Sequence, residues 1–91
     1  MIDSHALPGG TVYLLYDSAN GDNCVTTMRS TVSRKIRMVA KLRVQGGSTA
    51  RDAGYYVDYA GPVSLEAAAT CVEWGGAIGG SGWISGWSHC G

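Results

Sequence analysis

Two short runs of the chain place side by side residue types that do nucleophilic chemistry. Asp3-Ser4-His5 holds the three side chains of a hydrolytic triad, and His89-Cys90 sets a base beside a thiol. Neither spacing suits the chemistry. Alternate side chains of an extended chain point to opposite faces, so three consecutive residues do not converge on one substrate atom. Adjacent His and Cys rarely reach nucleophile–base geometry, and a disulfide would remove the thiol. The run Gly75-Gly76-Ala77-Ile78-Gly79-Gly80-Ser81-Gly82 has the glycine density of a phosphate-binding loop. It lacks the closing Lys-Ser/Thr, and no helical pattern follows it. Cys24, Cys71 and Cys90 show no C-x-x-C spacing, and His5 and His89 lie far apart in sequence, so no metal site is expected. These residues predict neither an enzyme nor a cofactor.

Binding chemistry is better represented. All 7 Lys and Arg residues lie between Arg29 and Arg51, a stretch without Asp or Glu. From Lys35 to Val44 it alternates: Ile36, Met38, Ala40, Leu42 and Val44 fall on one side, Lys35, Arg37, Lys41 and Arg43 on the other. A period of two marks a half-buried strand. Arg, Lys, Leu, Met and Ala also favour helix, but a helix would scatter this apolar set around its cylinder. The basic side is open to three readings. It is a solvated face neutralised by Asp52, Asp58 and their neighbours, a dock for an acidic polymer or partner, or a nucleic-acid track. The last is disfavoured, because net charge is zero and no aromatic residue alternates with the cations to stack bases. A second candidate surface is aromatic: Trp83, Trp87 and Tyr55 are of the type that stacks on sugars, unless the Trp residues fill the core of a domain without Phe.

The elements that position these groups read as strands. Thr11–Tyr16 is rich in β-branched and aromatic residues, and the turn cluster Asp17–Asn23 returns the chain as a hairpin partner, Cys24–Arg29. Ser30–Ser33 is a short polar turn or a continued strand. The basic strand follows, and Gln45-Gly46-Gly47-Ser48 turns it into a tyrosine-rich run, Ala50–Ala60, broken by Gly61-Pro62. Val63–Leu65 and Cys71–Trp74 are further short strands; Glu66–Ala69 is one helical turn or a loop. Gly75, Gly76, Gly79 and Gly80 are expected to bend a hairpin flanked by Cys71 and Cys90. Together these predict one all-β domain over residues 1–91, a small antiparallel sandwich or barrel of six to seven short strands.

A bridge between Cys71 and Cys90 would close a loop of about 20 residues and contribute ~3 kcal/mol. Three cysteines allow one internal bridge and leave one thiol over. Either the chain is reduced and cytosolic, or it is exported and has lost a cysteine upstream of Met1. High Gly (14 residues), only 15% charged residues and abundant Tyr, Trp, Ser and Thr favour the exported reading. No apolar run is long enough to span a membrane. Met1-Ile2-Asp3 has neither the basic start nor the apolar core of a signal peptide, so a mature form with an added Met1 is expected.

Several segments together carry a resemblance. Ile2-Asp3-Ser4-His5-Ala6-Leu7-Pro8-Gly9-Gly10-Thr11-Val12-Tyr13-Leu14, Asn23-Cys24-Val25, Tyr59-Ala60-Gly61-Pro62-Val63, Cys71-Val72-Glu73-Trp74-Gly75-Gly76 and His89-Cys90-Gly91 resemble the small secreted actinobacterial proteins of the spore-associated protein A family. The resemblance runs the length of the chain. It implies export and a fourth cysteine upstream of Met1 as the partner of Cys24. That leaves Cys71 with Cys90, the alternative being Cys24 with Cys71. It brings no catalytic residues and no cofactor. The family pattern has Thr, Ser and Glu where this chain has Arg37, Lys41 and Arg43, which marks the basic face as particular to this protein. The expected function is non-catalytic attachment at the cell or spore surface. A small inhibitor of an extracellular hydrolase and a carbohydrate-binding module are the alternatives.

Overall fold

The computed structural model describes residues 3–17, 19, 21–30, 34–66 and 70–90. They form eight strands: β1 (Asp3–Leu7), β2 (Gly10–Asp17), β3 (Asp22–Arg29), β4 (Ile36–Val44), β5 (Thr49–Tyr56), β6 (Tyr59–Glu66), β7 (Val72–Ile78) and β8 (Ser81–Ile84). Two four-stranded sheets result, in the orders β1-β2-β3-β6 and β5-β4-β7-β8, and every pairing within them is antiparallel. The all-β class and the sandwich are as the sequence predicts, with one strand more than expected. The Cys71–Cys90 disulfide is present, and Cys24, half-buried on β3, is a free thiol.

The apolar side of the basic strand is the inner wall. Met38, Ala40 and Leu42 of β4 are fully buried, packed with Val12 and Leu14 of β2, Val25 of β3, Ala60 of β6, and Val72, Trp74 and Ile78 of β7. Trp74 is the largest fully buried side chain and occupies the volume that Phe would otherwise fill. Trp83 of β8 meets it edge-on at 4.8 Å and stacks on His5 of β1 at 3.9 Å. That contact joins an edge strand of one sheet to an edge strand of the other.

Two expectations are corrected, both for reasons of close approach. The tyrosine-rich run does not end at Gly61-Pro62; it breaks earlier, at Val57-Asp58, into β5 and β6. Arg29 holds that turn: its backbone N–H donates to Asp58 O at 3.0 Å, and its guanidinium donates to Val57 O and Arg34 O. Gly61-Pro62 lies inside β6, at a shift in its register with β3 between Val25 and Thr27. β6 is an edge strand, where proline removes no ladder bond that the sheet requires. The extra residue is a glycine at φ +90, where an added Cβ would lie 2.7 Å from Val25 O.

The second correction concerns Gly75 and Gly76, which do not bend. Both are buried inside β7, and the hairpin turn is made by Gly79 and Gly80 alone. A Cβ on Gly76 would sit 2.1 Å from Thr27 Oγ1 and 2.5 Å from Val39 O. Those two atoms are hydrogen-bonded across the sandwich, the fully buried Thr27 hydroxyl of β3 donating to the Val39 carbonyl of β4 at 2.7 Å. Glu66 closes β6, while Ala67–Ala69, Thr31–Ser33, Ser18 and Asn20 lie outside the described residues.

Gly76→Ala is therefore expected to destabilise the domain by about 2–3 kcal/mol, because neither the backbone carbonyl nor the buried hydroxyl has room to retreat. Urea unfolding followed by Trp fluorescence measures it; a midpoint within error of wild type would contradict this account of the glycine.

Candidate functional site

The outer face of the β5-β4-β7-β8 sheet carries the residues that the sequence marks for binding. Arg37, Val39, Lys41 and Arg43 of β4 point away from the core, as their alternation predicts, and Lys35 precedes the strand. The register sets Lys41 directly opposite Arg51 of β5, and Arg37 opposite Tyr55. Side chains opposite each other on one face lie roughly 5 Å apart at Cβ, and like charges so placed repel. Arg51 belongs to the basic block, yet its cross-strand pairing was not readable from sequence. Only the length of the β4–β5 turn could have signalled it.

Among the described residues, neither Asp52 nor Asp58 forms an ion pair within 4 Å with the basic face. Asp52 points to the inner side of β5, where Tyr56 Oη donates to its Oδ1 and the Gly61 N–H donates to its Oδ2 at 2.9 Å. It brackets the β5–β6 corner, satisfying the backbone donor that the register shift in β6 displaces. Asp58 contributes its carbonyl to the turn braced by Arg29. Among the described residues, the ion pairs within 4 Å are Arg43 with Glu73 at 3.8 Å and His89 with Asp3 at 3.0 Å. Arg37, Lys41 and Arg51 take part in neither.

One row farther along the same face, the side chains are small. Ala53, Val39, Ala77 and Gly82 stand opposite one another across β5, β4, β7 and β8. Val39, Ala77 and Gly82 form the floor of an open trough of about 430 Å³, lined by Val39, Lys41, Gly76, Ala77, Gly82, Trp83 and Ile84. Lys41 and Arg51 stand on one bank, with Ile84 beyond them on β8. Arg37 and Tyr55 stand on the other.

The aromatic alternative does not assemble into one platform. Trp83 is half-buried between His5 and Trp74. Tyr55 (67% exposed) and Trp87 (41% exposed) are open to solvent. Trp87 lies under Arg43, its ring centroid 5.2 Å from the guanidinium carbon, while Tyr55 neighbours Arg37. Six residues of strand, about 20 Å, separate those two arginines.

Two carboxylates titrate below the ordinary value of 3.8. Donation by the Tyr56 hydroxyl and then the Gly61 N–H lowers Asp52, and the same contact raises Tyr56. Contact with His89 and then the Ser4 N–H lowers Asp3. The Asp3–His89 pair ties β1 to the C-terminal segment beside the disulfide. The nucleophile candidates of the sequence are thus engaged otherwise, Cys90 in the bridge and His89 with Asp3.

Comparison with known proteins gives one clear relative. The chain is 49% identical over 84 residues to "Spore-associated protein A" of Streptomyces coelicolor, an alignment covering 90% of this chain and 54% of that protein. The chain spans about half the length of the curated relative it matches. It belongs to the spore-associated protein A family. No family model matches it, and no solved structure does.

The two lowered carboxylates set an acid limb of stability. The folded state holds each deprotonated more strongly than the unfolded chain does, so their contribution is complete above about pH 4 and fades as pH falls through the lowered folded values. Asp52→Asn would leave the Gly61 N–H without its carboxylate and is expected to cost about 1 kcal/mol at pH 7. The gap from wild type should narrow as pH falls below the ordinary carboxylate value. Denaturant midpoints measured from pH 7 downward test this, and a gap independent of pH would overturn the assignment.

Proposed function

We propose that this member of the spore-associated protein A family is a non-catalytic, surface-attached binding domain whose cationic sheet face docks on an acidic polymer of the cell or spore surface. The observation that carries the reading is the cross-strand pairing of Lys41 with Arg51, beside Arg37, with no carboxylate of the described residues within ion-pair distance of any of the three. Like charges held opposite each other on a sheet oppose folding locally, and an anion placed between them relieves the repulsion. The surface location draws on the relative's name and on the disulfide, since such bonds persist in oxidising compartments. The non-catalytic reading draws on the engagement of His89, Asp3 and Cys90 in structural contacts.

A second reading has one observation in its favour. The Val57–Tyr59 turn is braced by two donations from Arg29 and exposes Val57 and Tyr59, as the rigid loop of a hydrolase inhibitor would. A panel of secreted amylases and proteases separates the two readings, because docking by the cationic sheet leaves every enzyme active.

For the docking face, pull-down on an anionic wall polymer or heparin is expected to weaken steeply as salt is raised, since exposed charges are screened over about 8 Å at physiological ionic strength. Lys41→Gln with Arg51→Gln should lower affinity at least about tenfold, or ~1.4 kcal/mol. Ser4→Glu with Ser64→Glu makes a control of similar charge on the other sheet and should have little effect. Equal loss in both double variants would reduce the interaction to net charge and sink the assignment to this face.

A further inference from the structure

We infer that the trough beside the Lys41–Arg51 pair takes a single amphiphilic anion, its acidic head on the cations and its apolar body along the floor toward β8. This rests on the reading of the sheet face as an anion site and narrows what the face accepts. A sheet face built only to hold a hydrophilic polyanion would continue its cations across the strands. Here the charge stops at β4. Across the row, Lys41 is followed on β7 by Gly75 and on β8 by Ile84, and the row beside it runs Ala53, Val39, Ala77, Gly82.

The flatness of that floor is not forced by packing at its outer end. Gly82 is exposed, its backbone lies outside the left-handed region, and an added Cβ would make an ordinary 3.5 Å contact with Ala77 Cβ. A larger residue would fit the fold there; what it would remove is the trough. By contrast, Gly75 on the bank is filled from above, with Ile84 Cδ1 only 2.8 Å from where its Cβ would be. The trough is thus walled by an aliphatic side chain at one end and headed at the other by Lys41, with Arg51 opposite it on β5. Its volume of about 430 Å³ falls within the range of small-molecule sites, roughly 300–1,000 Å³. Two inter-strand steps from β4 to β8 make it about 10 Å long. One row of residues wide, it suits one chain and not a bilayer surface.

The test compares octyl phosphate, below its micellar concentration, with glycerol phosphate and octyl glucoside, by calorimetry on the disulfide-intact chain. Octyl phosphate is expected to bind at least about tenfold more tightly than either, since a few methylenes leave water at ~0.8 kcal/mol each, discounted for an open trough. Gly82→Val should bring octyl phosphate down to the level of glycerol phosphate while leaving pull-down on the anionic polymer unchanged. Ala77→Val, on the same floor, provides a second variant if the first folds poorly by near-UV circular dichroism. Lys41→Gln with Arg51→Gln should weaken both phosphates. Equal affinity for the two phosphates, octyl glucoside binding as tightly as octyl phosphate, or binding only to phosphatidylglycerol vesicles would each overturn the inference. If the polymer is retained while octyl phosphate gains nothing, the docking reading stands and the inference alone fails. Loss of polymer binding with the octyl phosphate advantage intact would remove the polymer and keep the site.

Discussion

The packing of the two sheets depends on a hydrogen bond between them, from the Thr27 hydroxyl to the Val39 carbonyl at 2.7 Å. Sandwich cores are ordinarily apolar across their midplane, because an unpaired polar atom there costs more than its hydrogen bond returns. Here the hydroxyl is fully buried, so the contact is tolerated only while the donor reaches its acceptor. Gly76 clears the way, leaving empty the position where a Cβ would meet both atoms. The inner surface of β4 then completes the core with Met38, Ala40 and Leu42. Distance between the sheets, register of β4 against β7, and the residue type at position 76 are therefore one constraint.

How much of this was legible in the sequence follows from which residues announce themselves locally. A strand with one wet and one dry face writes its period directly, and Ile36–Val44 is the clearest case. The hairpin of β2 and β3 is equally local. Gly75 and Gly76 mislead because glycine serves two unrelated ends, bending a chain and admitting a neighbour, and only the neighbour's position distinguishes them. The break at Val57-Asp58 was invisible for a similar reason: Arg29, far away in sequence, supplies the donors that hold it. Asp52 looked like a surface counter-ion, yet the parity of β5 turns it inward. The four cations of the basic strand were found from alternation, whereas Arg51 became their companion only through register.

A net charge of zero conceals a separation that the fold makes spatial. Lys41 and Arg51 face each other on one sheet. On the other, Asp17 stands opposite Asp22, and Asp22 opposite Glu66. Like charges are thus neighbours within each sheet, although Arg43 and Glu73 pair within the cationic one. An arrangement of this kind gives little to stability, since solvent screens charges separated by more than a Debye length. It does give the domain two surfaces of opposite sign, and the sheet with the cations is also the one with the trough.

The glycine pair of β7 links that trough to the interior. Gly76, pointing inward, admits the Thr27–Val39 contact; Gly75, pointing outward, lets Ile84 and the Trp83 carbonyl lie against β7. Trp83 in turn reaches His5 and Trp74, so the same close approach that flattens the outer surface closes the sandwich at its edge. Replacing either glycine would move β8 or the opposing sheet, and with them the wall of the trough. The position that can change the outer surface without disturbing this arrangement is Gly82, where an added Cβ would meet only ordinary contacts. The outer face of this sheet therefore sets a low row of Val39, Ala77 and Gly82 beside Lys41 and Arg51, two cations that among the described residues form no ion pair within 4 Å.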